Sequence, residues 1–406
     1  MNKIVPLVCL VVLLSTICNA QVNVQTDFPG GNIVVDSIVK NELYLKPDQK
    51  GHDTTKTPWF YWSFKATSLY GGNTHFVFNH DNPLTRKGPA ISTDSGKTWK
   101  WLFADTDVDT SHFSYRMPVN KEVWFSMSIP YTSNDFKEFL SNIDSSFDSY
   151  YKLDTALVLK SGRALEILKI NFNCSYPEYT VFLFSRHHAC ESSASFVVDG
   201  MVQKALEYSK QNDFVKNHVR FIVFPFMDLD GVENGEQGKD REPHDHNRDY
   251  LHFIYESTKY FRDNYTEFAE GTKVFCLDNH APYIKWKQNE TIFFVGQERA
   301  DINEKLKTMA SFIEENDKSG LNFKKEWIFD FDKEWNSRTI SQSRQDRLMK
   351  NSQWCQIQEN NFFASTLEVS YANVGGVAWS TKQLKQFGNA VMMSVFHLLE
   401  RDADEH

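Results

Sequence analysis

The chain of 406 residues has 44 basic and 53 acidic side chains, which give a formal net charge of −9, and 41% of its residues are hydrophobic. The acidic excess argues against nucleic acid or an anionic membrane surface as the main partner. The length and the hydrophobic share are those of a globular protein with room for two domains.

The first twenty residues have the pattern of an export signal. Lys3 precedes an apolar run from Ile4 to about Ile17, and the small residue Ala20 stands before Gln21. The run is too short to span a membrane comfortably, so we interpret residues 1–20 as a cleaved signal peptide rather than an anchor. The sequence predicts export, by secretion or to a periplasm, and no membrane span in the mature chain.

Four cysteines follow the predicted signal peptide, namely Cys174, Cys190, Cys276 and Cys355. An oxidising compartment would permit disulfides, and four cysteines allow three pairings. The sequence does not choose among them.

Residues 21–129 consist of short alternating or aromatic runs that are separated by turn residues. Such runs include W-F-Y-W-S-F-K-A, T-H-F-V-F-N and V-W-F-S-M-S-I, with Gly71-Gly72-Asn73 and Thr93-Asp94-Ser95-Gly96 between them. This spacing predicts an antiparallel β-sandwich domain. We expect a packing domain rather than a binding module, with its aromatic side chains in the core.

From residue 130 to residue 406, apolar strand-like runs alternate with helical segments. This order predicts a second domain of α/β class, with a mixed, largely parallel sheet flanked by helices. The run Val181–Glu191, V-F-L-F-S-R-H-H-A-C-E, reads as a buried strand that ends in polar groups. His188 and Glu191 follow that strand, in a spacing that commonly supplies two zinc ligands. The two-residue motif is weak alone, since one chance match is expected.

The loop 227–250 is rich in glycine, charge and histidine. Arg241, Asn247 and Arg248 can present hydrogen-bond donors to an anion, and the planar guanidinium suits a carboxylate. We interpret His244 and His246 as loop or supporting residues rather than metal ligands.

Two later strands complete the pattern. The run K-V-F-C-L-D-N-H ends in His280, the natural third ligand, and Asp278 is expected to support the site from behind. The run N-F-F-A-S-T-L-E-V-S-Y-A-N places Glu368 in a strand, where a carboxylate is costly unless it is paired or faces a cleft.

The ordered set of His188-x-x-Glu191, Asn247-Arg248, His280 and Glu368 resembles the M14 zinc carboxypeptidases, in particular the cytosolic carboxypeptidases and their bacterial relatives, over nearly all of the mature chain. The resemblance implies one Zn²⁺ held by the two histidines and Glu191. It implies that Asn247 and Arg248 hold the substrate's terminal carboxylate and that Glu368 is the general base.

The expected activity is that of a metallocarboxypeptidase, a zinc peptidase that hydrolyses the C-terminal amide bond of a peptide with a free carboxylate. Glu368 would activate water at the zinc ion and return a proton to the leaving amine, while Arg241 helps to stabilise the oxyanion. The alternatives are a binding protein without turnover on the same fold, or an amidase or deacylase of a small carboxylated amide.

Two features depart from the family or stay open. Members of the family often have Pro-Gly between the first two ligands, where this chain has Ala189-Cys190, and we expect Cys190 to be a bystander. Lys239 is the alternative to Arg241 beside the oxyanion.

The substrate-capping tyrosine of the family has no clear equivalent, because no tyrosine lies between Phe331 and Thr366; Tyr371 or another residue would have to serve. The segment 338–363, which would form the side-chain pocket, contains three basic residues. We expect these to be solvated helix charges rather than pocket residues; they are Arg344, Arg347 and Lys350.

Overall fold

A computed structural model of the chain describes residues 22–50, 59–79, 83–239, 241–336 and 348–405. The predicted signal peptide lies outside the described residues, as do Arg344 and Arg347.

Nine strands form the first part of the chain. In order they are β1 (Val22–Gln25), β2 (Val34–Val39), β3 (Glu42–Lys46), β4 (Ser63–Ser68), β5 (Gly72–Phe78), β6 (Ala90–Ser92), β7 (Lys100–Trp101), β8 (His112–Met117) and β9 (Glu122–Ser126). One sheet has the order β1-β4-β9-β6-β7 and the other β2-β3-β5-β8. The predicted sandwich strands are therefore present, although the pairing of β3 with β5 is parallel, unlike the antiparallel pairings around it.

The core of this β-domain is largely aromatic. Trp62 and Phe76 are fully buried and approach neighbouring rings, with 4.8 Å between the ring centroids of Trp62 and Phe78 and 4.7 Å between those of Phe76 and Phe113. Alternate residues of a strand point to one face, so the aromatic runs of the sequence supply this core. The expected packing role of these side chains is confirmed.

The second part of the chain contains a larger sheet between helices. Its strands are β10 (Tyr151–Val158), β11 (Ala164–Ile170), β12 (Tyr179–Ser185), β13 (Val219–Phe224), β14 (Lys273–His280), β15 (Ile292–Val295), β16 (Ile328–Phe329) and β17 (Asn361–Val369), and a separate pair is formed by β18 (Asn373–Val374) and β19 (Val377–Ala378). The helices are α1 (Ser133–Ser141), α2 (Ser192–Gln211), α3 (Asp213–His218), α4 (Leu229–Asn234), α5 (Glu256–Ala269), α6 (Ala300–Asn316), α7 (Asn351–Gln356) and α8 (Thr381–Asp404).

The sheet order is β10-β11-β13-β12-β14-β17-β15-β16, and its four central strands, from β13 to β17, are parallel. Both faces are covered. In β12, Val181 and Leu183 pack in the cluster that includes α2, α6 and α8, whereas Phe182 and Phe184 pack in the cluster that includes α5 and α7. A strand buried on both faces reads as a continuous apolar run, as this one does. The predicted mixed, largely parallel α/β fold is confirmed.

The β-domain packs directly on the α/β layers. The side-chain oxygen of Gln237 accepts hydrogen bonds from the backbone N–H groups of Phe60 (2.7 Å) and Tyr61 (3.2 Å). The indole N–H of Trp101 donates to the carbonyl oxygen of Trp379 at 2.8 Å. Within the described ranges, no helix combines the length and apolar character that a membrane span requires.

Candidate metal and active site

The strands β12, β14 and β17 are adjacent and parallel, so their carboxyl ends meet at one edge of the sheet. His188 and Glu191 follow β12, with Glu191 immediately before α2, and His280 is the last residue of β14. In the register of β14 with β17, His280 lies opposite Glu368. The sheet topology therefore brings together four residues that are up to 180 positions apart in the sequence.

The ligand atoms of His188, Glu191 and His280 all lie within 4.8 Å of one another. Both imidazoles turn Nδ1 toward Glu191, with 2.8 Å from His188 Nδ1 to Oε1 and 2.8 Å from His280 Nδ1 to Oε2. Two imidazoles and one carboxylate are a donor set that zinc takes in catalytic sites. The residues present therefore fit a zinc ion.

The opposite ring nitrogens of both histidines have carboxylate partners. Nε2 of His188 lies 3.0 Å from Asp245 Oδ1, and Nε2 of His280 lies 2.8 Å from Asp278 Oδ2. Such partners fix the tautomer and ring orientation of a metal-binding histidine. The supporting position predicted for Asp278 agrees with this geometry. Sequence reasoning missed Asp245, although its place two residues before Asn247 was a usable signal.

A second group, His187, Asp278 and His280, also brings its ligand atoms within 4.8 Å. However, Nδ1 of His187 lies 2.8 Å from Asp278 Oδ1, and Nε2 lies 2.7 Å from the hydroxyl of Tyr250. Both nitrogens of His187 thus have protein partners, and its side chain is fully buried. We interpret His187 as a support for Asp278 rather than as a ligand.

Neighbouring charges shift the pKa values of His280 and Glu191 in opposite directions. Burial by itself would lower the pKa of His280, but the carboxylates of Asp278 and Glu191 outweigh it and hold that pKa well above its usual value. Burial alone would raise the pKa of Glu191, yet His188, Lys239 and His280 hold it well below its ordinary range. Glu191 is therefore an anion aimed at the point where a cation would sit.

Glu368 lies beside the donor set and differs from Glu191 in its surroundings. Burial raises the pKa of Glu368, and Glu191 adds to that effect, while His280 and Lys239 oppose it. Its Oε2 is buried and has no hydrogen-bond partner among the described residues. Glu368 also lines the cavity over the site. A buried carboxylate oxygen without a partner has a free position for a proton.

The two candidate oxyanion cations occupy different places. Lys239 Nζ donates to Glu191 Oε1 and, at 3.0 Å, to the carbonyl oxygen of Ala281. Arg241 pairs with Asp228 at 2.7 Å and with Glu236. Both cations line the cavity.

The predicted carboxylate clamp is only partly exposed to the cavity. Arg248 is one of the lining residues. Asn247 is buried, its Nδ2 donates to Asp278 Oδ2 at 3.2 Å, and its Oδ1 accepts the backbone N–H of Asn351 at 3.0 Å. The described cavity wall thus includes Arg248 but not Asn247.

The remaining histidines of the loop lie outside the donor set. His244 Nε2 lies 2.8 Å from Asp249 Oδ1, and His246 Nε2 lies 3.2 Å from Ser257 Oγ. Among the described residues, neither histidine belongs to a group of side chains that could hold a metal ion, in agreement with the sequence interpretation.

The cavity has a volume of about 800 Å³ and opens over the donor set. Aromatic side chains that sequence reasoning did not single out line it, namely Tyr283 and Trp335. Tyr283 follows His280 by three residues. Tyr371, in contrast, is buried, and its hydroxyl lies 3.2 Å from Cys190 Sγ. Tyr283 is therefore better placed than Tyr371 to reach a substrate.

Lys350 does not behave as a solvated helix charge. It is the residue before α7, and its Nζ lies 5.5 Å from the ring centroid of Trp335. Burial and the nearby Arg248 lower the pKa of Lys350 to about 8. The structure therefore places this cation beside the cavity wall.

No model of a known protein family matches the chain. Two curated proteins are similar to it: cytosolic carboxypeptidase 6 of Caenorhabditis elegans, 21% identical over 63% of this chain, and cytosolic carboxypeptidase 2 of Xenopus tropicalis, 22% identical over 57% of this chain. The chain spans 61% of the length of the first relative and 27% of the second.

Solved structures are similar over most of the chain. A metallo-carboxypeptidase from Burkholderia cenocepacia has a TM-score of 0.71 at 17% identity, covering 94% of this chain and 100% of that one. A Pseudomonas aeruginosa metallo-carboxypeptidase, in complex with (2-guanidinoethylmercapto)succinic acid, has a TM-score of 0.71 at 16% identity, covering 93% and 99%. The chain has the fold of the M14 metallo-carboxypeptidases and is similar in sequence to the cytosolic carboxypeptidases, which confirms the resemblance indicated by its motifs.

Proposed function

We propose that the protein is a zinc-dependent metallocarboxypeptidase that removes the C-terminal residue of a peptide. The observation that carries this proposal is the meeting of His188, Glu191 and His280 beside the unpartnered Oε2 of Glu368, in one cavity. The curated relatives and the solved structures described above are carboxypeptidases, which supports the same activity.

His188, Glu191 and His280 would hold one zinc ion, with Asp245 and Asp278 fixing the two imidazoles. When bound, zinc supplies Lewis-acid polarisation of the scissile carbonyl and promotes the ionisation of water.

Glu368 is the proposed general base. It lies opposite His280 in the sheet register, and its free Oε2 can take a proton from the attacking water. A raised pKa suits a group that must then return the proton to the leaving amine.

Arg248 is the proposed anchor for the terminal carboxylate of the substrate. Its guanidinium lines the cavity and is held by the carbonyl oxygen of Asn247 at 2.9 Å. Asn247 supports Arg248 in this way, and it reaches the substrate itself only if its amide turns away from Asp278. Fixing the terminal carboxylate converts a general amide hydrolysis into removal of one residue.

Arg241 is the proposed oxyanion donor, because its Nε is buried without a hydrogen-bond partner among the described residues and its side chain lines the cavity. Lys239 is the alternative, since its Nζ already lies at Glu191. Arg241→Met and Lys239→Met distinguish the two. The variant that removes the true oxyanion donor should have a much lower kcat, whereas the other variant should keep kcat within a few-fold of the wild type.

The test is product analysis by mass spectrometry on peptides that differ only in the terminal residue, each with a free and an amidated C-terminus. The zinc-loaded protein should release single residues from the free acids only. Glu368→Gln should lower kcat by about 10²–10⁴-fold with unchanged zinc content. Glu242→Gln is the matched control, because Glu242 is another carboxylate of the cavity wall. Equal turnover by wild type and Glu368→Gln would refute the proposal.

We further propose that the protein is exported and that its chain divides near residue 130 into a β-domain and a peptidase domain. Export follows from the residues 1–20, and the division follows from the change of pattern in the sequence. N-terminal sequencing of the protein from its native host tests the first proposal, and limited proteolysis tests the second.

A further inference from the structure

The loop between β14 and β15, residues 281–291, forms one wall of the cavity, and we call it the rim loop. Its cavity-lining residues are Ala281, Pro282, Tyr283, Lys287, Gln288 and Asn289. It begins immediately after His280. The loop therefore joins the strand end that carries His280 to the wall of the cavity.

The rim loop contains an unfavourable backbone turn. Trp286 has a φ of +82° and Lys287 a φ of +51°, although neither residue is glycine. Non-glycine residues in this region cost on the order of 1–3 kcal/mol each and persist only where surrounding contacts hold them. The contacts that hold this turn therefore decide the shape of the rim loop.

One such contact is an ion pair with the β-domain. Lys285 Nζ lies 2.7 Å from Asp109 Oδ1. The side chain of Lys285 is only 2% exposed, whereas that of Asp109 is 58% exposed. A buried ammonium group without a carboxylate is costly, so Asp109 holds Lys285, and with it the start of the strained turn.

In the second contact the rim loop supplies the anion and the β-domain supplies the cation. Glu290 Oε2 lies 3.0 Å from Nε of Arg86, also in the β-domain, and the same carboxylate accepts the backbone N–H of Trp286 at 3.1 Å. Its other oxygen accepts Asn373 Nδ2 at 3.1 Å. Nε of Arg86 makes no hydrogen bond among the described residues, so this contact is a charge pair, and it attracts the carboxylate that caps the turn.

The β-domain presents these two groups as one surface. The backbone N–H of Val108 donates to the carbonyl oxygen of Arg86 at 2.9 Å, which joins the segment of Arg86 to that of Asp109. Phe60 adds an apolar contact, with 5.4 Å between its ring centroid and that of Tyr283. The β-domain thus contacts both the charged and the aromatic part of the rim loop.

We propose that Arg86 and Asp109 of the β-domain are positioning residues that hold the rim loop and thereby set the substrate-binding wall of the cavity. The inference rests on the proposed peptidase function for its effect on substrate, but not for the contact itself. It assigns the β-domain a part in substrate recognition, through Tyr283 and the residues beside it.

The first test measures the loop without turnover. Hydrogen exchange of residues 281–291 is followed by mass spectrometry in the full-length wild type, Asp109→Asn and Arg86→Met. Asp107→Asn is the matched control, because Asp107 is 51% exposed and pairs at 2.9 Å with Lys87, whose side chain is 4% exposed. That pair lies wholly within the β-domain. Exchange in the rim loop should be faster in the first two variants and unchanged in the control.

The second test measures KM and kcat on the peptide panel, with the zinc content and the melting temperature of each variant. We expect KM to rise about tenfold in Asp109→Asn and Arg86→Met, a loss of roughly 1.4 kcal/mol of binding, with kcat and one zinc ion per chain retained. Asp107→Asn should keep the wild-type KM.

Unchanged exchange in the rim loop would overturn the proposed contact. Faster exchange with an unchanged KM would overturn the role in substrate recognition. Equal KM changes in Asp107→Asn and Asp109→Asn would also overturn it, because they would show a general effect of destabilising the β-domain. If the wild type lacks turnover, the proposed function fails, and the exchange experiment still decides whether the β-domain holds the loop.

Discussion

Asp245 Oδ1 lies 3.0 Å from Nε2 of His188, on the side of the ring opposite Glu191. His188 and Arg248 hold the pKa of Asp245 well below its ordinary range, against the effect of burial. Because the loop 241–250 carries both this carboxylate and Arg248, one loop would orient a proposed metal ligand and present the proposed substrate anchor.

Asp245→Asn should lower zinc affinity about 10–100-fold, because the amide holds the imidazole less strongly than the carboxylate does. Competition with a chromophoric chelator measures this affinity. The melting temperature of the metal-free variant should stay near that of the wild type. An unchanged zinc affinity would show that Asp245 does not orient His188.

His188→Ala should abolish stoichiometric zinc binding, whereas His187→Ala should still bind one ion at saturating zinc. His187 holds Asp278 through a buried hydrogen bond, and Asp278 in turn orients His280. We therefore expect the zinc affinity of His187→Ala to be about 10–100-fold lower than that of the wild type. Elemental analysis after dialysis and a chelator titration measure these quantities. If His187→Ala lost the zinc ion and His188→Ala kept it, His187 and not His188 would be the metal ligand.

Asp199 should make the stability of the protein depend on pH. Burial raises the pKa of Asp199 to about 6, although Lys385 at 2.9 Å and the Tyr131 hydroxyl at 2.5 Å oppose the shift, while Asp135 adds to it. Between about pH 4 and pH 6, the folded chain binds more protons at this site than the unfolded chain does. The contribution of Asp199 to the free energy of unfolding is therefore fully present below about pH 4, and it is lost as the pH rises through 6.

The difference in unfolding free energy, Asp199→Asn minus wild type, should thus increase from pH 4 to pH 7 by on the order of 3 kcal/mol. Urea denaturation at several pH values measures it. The exposed Asp105 supplies the control variant, Asp105→Asn. A difference that is independent of pH, or one that decreases with pH, would contradict the assignment.

The four cysteines that follow the predicted signal peptide should differ in reactivity. Those of the described residues are free, and Cys174 is half-buried whereas Cys190, Cys276 and Cys355 are buried. Burial raises the pKa of Cys276 well above its ordinary value, and the adjacent Cys355 adds to the shift. Since alkylation needs an accessible thiolate, native labelling should modify Cys174 alone, and labelling in denaturant should modify all four. Peptide mass spectrometry identifies the labelled residues.

Labelling of Cys190 in the native protein would show that the loop carrying His188 and Glu191 opens. Recovery of linked cysteine peptides without reduction would show instead that the protein contains a disulfide.

The sequence alone was sufficient to predict the layers of the fold and the residues at the centre of the candidate site. Apolar runs such as Val181 to Phe184 predict strands buried on both faces, and polar groups directly after them must lie at a sheet edge. His188 and Glu191 lie just after β12, while His280 and Glu368 lie in the last residues of β14 and β17, so the parallel direction of these strands brings all four to one edge of the sheet.

Tertiary structure decided the contacts that depend on how separate loops pack. The orientation of Asn247 toward Asp278, the pairing of Asp245 with His188 and the salt bridge of Asp109 with Lys285 join residues of different loops or domains. A polar residue in a loop has many possible partners, and the sequence carries no period that selects one. The sequence therefore determined which residues meet at the candidate metal site, and only tertiary packing decided which residues of the β-domain contact the rim loop.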